Sequence, residues 1–355
     1  AAANVGYLLV ALLSLGLSGF IGNIEIFLKG IGLSEASTNS LLANSAWRFL
    51  MISGAFPAML IFFIRMSVRE SEKWEEEKAR GATSHWSNSD LNGVMIGCVA
   101  ALVIIWAWSP AAGGLGAGAA TVITVVGLVV ALFGYLHPVR QYLGRAIAAG
   151  ALTEDSRRKV VRSMLLGAAL AAVALLGTWG SIQWAPRWAG QLMPDTATVK
   201  HFAKEKTQMA TSIGAIVGTI LAALAAGRFG RRPTYVALCV GSFASALYFY
   251  LGHASFDSSF LFAAFLAGAI TAAFYGFFPL YFPELFPTSV RATGQGFAFN
   301  FGRIVAAVGG LQTATLMKAF DGSFARAGAV LASIYLVGAF LVIWAPETKG
   351  RELPE

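Results

Sequence analysis

Long apolar runs alternate with short polar segments along the whole chain. A helix rises 1.5 Å per residue, so crossing about 30 Å of hydrocarbon takes about 20 mainly apolar residues. Ten runs approach or reach that length: a, 5–28; b, 47–64; c, 94–108; d, 117–136; e, 164–185; f, 209–226; g, 235–251; h, 260–280; i, 294–317; and j, 327–345. Run c is the shortest. Charges, Gly and Pro punctuate the gaps. Trp47, Trp106, Trp108, Trp184, Trp188 and Trp344 fall at run ends, where an indole prefers the membrane interface. The pattern predicts an all-α polytopic membrane protein with about ten transmembrane helices.

Composition agrees. Only 12% of the 355 residues are charged and 57% are hydrophobic, whereas a soluble domain carries about 25% charged residues. Such a surface would aggregate in water, and a bilayer tolerates it. The net charge of +8 does not point to nucleic acid, because the basic residues sit in short loops with no stripe or finger motif. It reads as a topology signal. Ten spans put both termini on one side. Of the 26 Lys and Arg, seventeen fall in the b–c, d–e, f–g and h–i segments and the tail, and eight on the opposite side. The positive-inside rule then places a cell (inner or plasma) membrane protein with its C-terminus in the cytoplasm. Cys98 and Cys239 both lie in apolar runs and read as packing residues. The start lacks an initiator Met, a charged n-region and a cleavage site, so 5–22 is not a signal peptide and the beginning reads as a truncation or partial gene. Residues 65–80 read as a solvated surface helix, with Glu76/Arg80 and Lys73/Glu77 at i, i+4.

Three runs carry rows of small residues, which let helix backbones approach closely in lipid. Run i has Gly294, Ala298, Gly302, Ala306 and Gly310; run f has Ala210, Gly214, Gly218, Ala222 and Ala226; run a has Ser14, Ser18 and Gly22. They predict three tight crossings, either static or at an interface where two bundles rock.

Four short motifs stand between the runs. Gly227-Arg228-Phe229-Gly230-Arg231-Arg232-Pro233 joins f to g, and Pro283-Glu284-Leu285-Phe286-Pro287 with Thr288, Arg291, Ala292, Thr293 and Gly294 joins h to i. Pro346-Glu347-Thr348-Lys349-Gly350 follows j, and Arg69-Glu70-Ser71-Glu72-Lys73-Trp74 follows b. In this order they resemble the major facilitator superfamily, over nearly the whole chain. The resemblance implies that a and b are the fifth and sixth helices of that fold, that e to j are the seventh to twelfth, and that c and d are an added hairpin. The implied division is 1–66, a remnant of the N-terminal half; 67–92, a cytoplasmic helical linker; 93–137, the hairpin; 138–161, a second cytoplasmic linker; and 162–355, the C-terminal six-helix bundle. A fourteen-helix parent with this hairpin resembles the sialate:proton symporter and organic-anion branch, as does Gly-Gln-Gly-Phe-Ala-Phe-Asn-Phe-Gly-Arg-Ile at 294–304. The first four helices of that layout are absent, so the chain alone is not expected to transport. Gly227 departs from the family pattern, which usually has an Asp there. The motif residues Arg228, Gly230, Arg231, Arg232, Glu284, Arg291 and Glu347 are expected to form a cytoplasmic gate.

An ionisable group inside hydrocarbon is costly and therefore a functional candidate. Arg303 lies near mid-depth in run i, with Asn300 on its helical face. Its guanidinium could hold a substrate carboxylate bidentately, or serve structurally by bonding backbone carbonyls or an acid. Gln295 and Gln312 raise the same question less sharply. Gln183 and Trp179 share a face of run e and could form a polar, aromatic wall, or an interhelical hydrogen bond beside an interfacial indole. Tyr275 stands beside Gly276 and Pro279, a combination that could kink run h. Glu25 could take part in proton coupling or simply be wet at the interface. His85, His137, His201 and His253 show no metal-binding spacing, and no cofactor motif or catalytic constellation is evident, so an enzyme is not expected. The expected function is a secondary active carrier of a small organic anion, a sugar acid such as sialate or a monocarboxylate, driven by protons. A neutral-sugar porter and a transporter-derived membrane sensor are the alternatives.

Overall fold

The computed structural model describes residues 2–68, 72–79, 87–150, 152–193, 197–311 and 313–354. Among them the chain is all helix with no strand. The elements are α1 (Ala2–Gly30), α2 (Glu35–Ser53), α3 (Phe56–Ser67), α4 (Glu72–Ala79), α5 (Leu91–Ala107), α6 (Ala117–Ala148), α7 (Glu154–Gly180) and α8 (Ala185–Gln191). They continue with α9 (Ala197–Phe229), α10 (Arg231–Leu251), α11 (Ser258–Thr271), α12 (Phe274–Tyr281), α13 (Arg291–Leu311), α14 (Thr313–Ala319), α15 (Phe324–Ala332) and α16 (Ile334–Leu341).

Seven stretches of described helix are long and apolar enough to cross a membrane, covering runs c, d, e, f, g, h and j. Run a makes an eighth if its two parts count as one span, because the axis turns by 70° between Ala2–Leu17 and Phe20–Gly30. Two of the ten expected spans differ. Run b is divided at Gly54–Ala55 into α2 and α3, and a proline stands in the first turn of α3. Run i falls on α13 and the start of α14, with residue 312 outside the described residues, and Gln295, Asn300 and Arg303 keep α13 out of the apolar set. Large apolar side chains stay exposed along the helices, among them Phe62, Leu102, Val122, Leu224 and Phe262, each about 60% exposed or more. Exposure on that scale fits a lipid surface.

Lipid gives no hydrophobic drive between helices, so close approach has to hold the bundle. Two of the three small-residue rows do this. A Cβ at Gly218 would stand 1.7 Å from the Ala269 carbonyl oxygen, and one at Gly214 2.1 Å from that of Phe265. The α9 and α11 backbones therefore touch. A Cβ at Gly302 would meet the Ala171 Cβ at 2.8 Å, so α13 lies directly on α7. Both crossings lie inside 162–355. In the third row a Cβ at Gly22 meets nothing within 4 Å, whereas Ser14 Oγ donates to the Glu205 carboxylate at 2.9 Å and joins α1 to α9. The expected kink at Pro279 is displaced. Helical geometry breaks at Ala272–Ala273 instead, and Gly276 serves as a contact, its would-be Cβ 1.8 Å from the Thr219 carbonyl oxygen.

Two ends of the bundle are tied separately. At one end the α9–α10 turn, residues 282–290 and the C-terminal tail meet, and Asp90 at the start of the α5–α6 hairpin pairs with Arg145. At the other, Tyr250 Oη donates to the Ser181 carbonyl at 2.6 Å, Ser181 Oγ donates to the Gly328 carbonyl at 3.1 Å, and Trp188 packs on Phe249, Tyr250 and Phe260. An aromatic cluster of Tyr235, Phe274, Phe277, Phe278, Tyr281 and Tyr335, all fully buried, fills the bundle between them.

Candidate functional site

A cavity of about 880 Å³ opens between α1, α7, α9, α11, α12 and α13. Arg303 is the one charged residue on its described wall. Helix α13 is pressed onto α7 by Gly302, and the neighbouring position 303 therefore faces away from that crossing into the open space. The guanidinium lies 4.6 Å over the Phe299 ring and its Nη1 donates to Asn300 Oδ1 at 3.2 Å. Among the described residues no carboxylate lies within ion-pair distance of it. Its charge is thus held in place by an aromatic face and an amide, and left electrically uncompensated.

Trp179, at the end of α7, donates its Nε1–H to the Tyr275 hydroxyl at 2.6 Å, and both side chains line the cavity. This bond unites the two alternatives for Trp179: it is interhelical and also builds the wall. Gln183 lines the same space from the turn after α7. Thr178 sits beneath, its hydroxyl between the Ala174 and Thr271 carbonyls at 2.8 and 2.9 Å. Asn4, Tyr7, Gln208, Thr211 and Ser212, which the run pattern does not single out, complete the wall. Gln208 Nε2 donates to Ser212 Oγ at 3.1 Å. The signal of Gln208, Thr211 and Ser212 is a polar stripe at i, i+3, i+4 at the head of run f, hidden behind Lys204, Glu205 and Lys206.

Asn300 does not line this cavity. It faces a neighbouring groove of about 850 Å³ between the hairpin and α13, and Arg303 lines both spaces. The two residues share a helical face, but the long Arg side chain extends around α13 while the short amide stays on the hairpin side. Glu25 is also outside the cavity, half exposed and paired with Lys29 at 2.8 Å one turn on. Gln312, His85, Arg80 and residues 69–71 lie outside the described residues. His137 and His253 are far apart in the chain, and no group of three or more metal-binding side chains occurs among the described residues.

The motif residues form a second constellation. Gly230, at φ +104°, lets α10 start so that the first two backbone N–H groups, of Arg231 and Arg232, both donate to the Glu347 carboxylate at 2.9 Å. The N–H groups of Thr348 and Lys349 add bonds of 3.1 and 3.0 Å. Burial pushes the Glu347 carboxyl up, and these four donors outweigh it and hold it below the usual glutamate value. Arg231 meets Glu284 through two nitrogens, Nε at 2.9 Å, and its Nη1 caps the Ala226 carbonyl at 2.9 Å. Thr348 Oγ1 donates to Glu284 at 2.6 Å and Lys349 Nζ to the Arg228 carbonyl at 2.6 Å. Arg232 bonds the Ile343 carbonyl at 2.9 Å, and Arg291 bonds those of Phe286 and Pro354 at 3.1 and 2.7 Å. Arg228 contributes its carbonyl, while its side chain lies against Phe229. Six of the seven motif residues thus join through side chain or turn geometry, with Glu284 as the acid that Arg231 meets.

Residues 201–355 match the family model described as Sugar (and other) transporter. A protein of Haemophilus influenzae, assigned provisionally to metabolite transport, is 29% identical over 52% of this chain and 44% of its own length. A "Probable 4-methylmuconolactone transporter" of Cupriavidus pinatubonensis is 24% identical over 91% of this chain and 60% of its own. The "Cis,cis-muconate transport protein" of Acinetobacter baylyi is 28% identical over 44% of this chain and 36% of its own. The chain spans about half the length of the curated relatives it matches. These similarities are to transporters, not enzymes, and support the resemblance to the major facilitator superfamily.

Proposed function

We propose that this multi-pass membrane chain belongs to a secondary active carrier that moves a small organic anion by alternating access, with the cavity at Arg303 as its substrate site. The observation that carries this reading is a guanidinium at mid-helix, without a carboxylate partner among the described residues, facing a cavity of about 880 Å³ whose lining mixes amides, hydroxyls and aromatic rings with small and aliphatic residues. A carboxylate entering there would gain charge-assisted hydrogen bonds in a medium where water competes little. Trp179, Tyr275 and Phe299 would hold the body of the solute, with Gln183 and Gln208 orienting its polar edge. The relatives' names add muconate and a muconolactone to the sugar acids and monocarboxylates expected from the sequence. Proton coupling rests on the superfamily resemblance, and the seventeen-to-eight charge bias supports a cytoplasmic C-terminus. The division at 66, 92, 137 and 161 follows the same resemblance.

Uptake of labelled cis,cis-muconate, benzoate and glucose into cells producing the full-length gene product tests this. Carboxylate uptake that collapses with a proton uncoupler, and falls at least tenfold in Arg303→Ala, is the expected result. Unchanged carboxylate uptake in that variant would remove Arg303 from the site. Uptake of glucose that no carboxylate inhibits would replace the anion with a neutral sugar and make Gln183 and Gln208 the main contacts.

A further inference from the structure

The groove of about 850 Å³ between the α5–α6 hairpin and α13 shares only Arg303 with the main cavity. Its two ends are polar. At one end Asp90, only 3% exposed, is already satisfied: it pairs with Arg145 and accepts the Ser87 backbone N–H at 3.1 Å. At the other end stands Arg303, with no carboxylate partner among the described residues. Asn300 is spent on holding that guanidinium, its Oδ1 accepting from Nη1 at 3.2 Å and its Nδ2 donating to the Gly296 carbonyl at 2.9 Å. Between the ends the lining is Leu91, Val94, Tyr135, Phe297, Phe301 and Ile304. Among the described residues, the unmatched charge in the groove is therefore positive, and it lies at the far end of a largely apolar passage from Asp90.

We propose that this groove is a second anion compartment, which takes a small carboxylate with an apolar body and delivers it to the hairpin side of Arg303. A carboxylate fits because the free group is a planar donor fork. The apolar body fits because, away from the Asp90 end, the described lining offers hydroxyls only on Tyr135 and Thr293, too few to replace the hydration of a sugar. Arg303 lines both spaces and carries one charge, so a carboxylate in the groove and one in the main cavity compete for it. This competition rests on the main-cavity reading; the groove site itself does not.

The geometry offers separate handles. A Cβ at Gly296 or at Gly310 meets nothing within 4 Å, and Gly296 lines only the groove while Gly310 lines only the main cavity. The experiment labels Gly296→Cys and Gly310→Cys with N-ethylmaleimide in a Cys98→Ser background, with the protein purified in detergent and benzoate as the probe. Thr293→Cys serves as a second groove reporter if Gly296→Cys does not elute as the native protein does. The expected result is that benzoate slows labelling at both positions. Protection at position 296 persists when Gly310→Leu fills the main cavity, and the half-protecting concentration rises at least tenfold with Arg303→Gln. Protection at 310 but not at 296 would overturn the groove site and leave the main site standing. Protection at 296 that survives Arg303→Gln would overturn it too. Protection at 296 but not at 310 would sustain the groove and sink the main-cavity reading.

Discussion

Glu347 shows how one side chain can close an end of this bundle. Its carboxylate sits where an N-cap residue would, but it comes from the tail more than a hundred residues away and satisfies the first N–H groups of α10. Its pKa is held below the ordinary glutamate value, so the ionised form stabilises the fold. That contribution is complete above the unfolded pKa of about 4.3 and is lost as pH falls from there through the lower native value. Glu347→Gln should lower stability in detergent by about 1–2 kcal/mol at pH 7, the solvent-facing part being screened. It should also flatten the loss on acidification to pH 4. Thermal unfolding at the two pH values checks both, and an unchanged slope would remove Glu347 from the acid response. Asp257 gives a smaller, parallel case. Its Oδ1 caps α11 through the Phe260 N–H at 2.9 Å, and hydrogen bonds from Ser259 and the backbone pull its carboxyl down to about 2. Its share of stability therefore persists to lower pH before it is lost. Gly230→Ala should be strained, because φ of +104° disfavours a side chain and the new Cβ would stand 3.0 Å from Glu347 Oε2.

Among helices, the decisive contacts are backbone to backbone. Gly218→Leu should disrupt the α9–α11 crossing and abolish a folded, monodisperse product, since even a Cβ has no room beside the Ala269 carbonyl. Gly144→Ala in α6 is the control, with nothing within 4 Å of its would-be Cβ, and should gain about 0.5–1 kcal/mol from helix propensity. Size-exclusion profiles and melting temperatures of the two variants separate packing from propensity. These crossings were legible in the sequence because small residues recur every fourth position in runs f and i. Arg303 was legible because a charge in an apolar run stands out. The break at Ala272–Ala273 was not, because two alanines signal no turn and the interruption follows from packing of α12 on Thr219. The bend of α1 and the division of run b were hidden for a related reason: average hydrophobicity reports burial in lipid but not axis direction. Gln208, Thr211 and Ser212 were masked by adjacent lysines, which made the head of α9 look like a loop.

On the scale of the whole molecule, the helices thread lipid between two differently tied ends. Segments 227–232, 283–291 and 346–349 meet at one end, which agrees with their expected placement on a common side. Residues 181, 250 and 328 meet at the other. Cysteines placed one at a time at Phe229 or Lys349, and at Arg187 or Asp321, in a Cys98→Ser background that leaves only the buried Cys239, probe this arrangement with a membrane-impermeant maleimide on intact cells and inside-out vesicles. Positions 229 and 349 should label only in inside-out vesicles, and 187 and 321 only in intact cells. Labelling of all four from the same side would rule out two ends on opposite faces of the membrane.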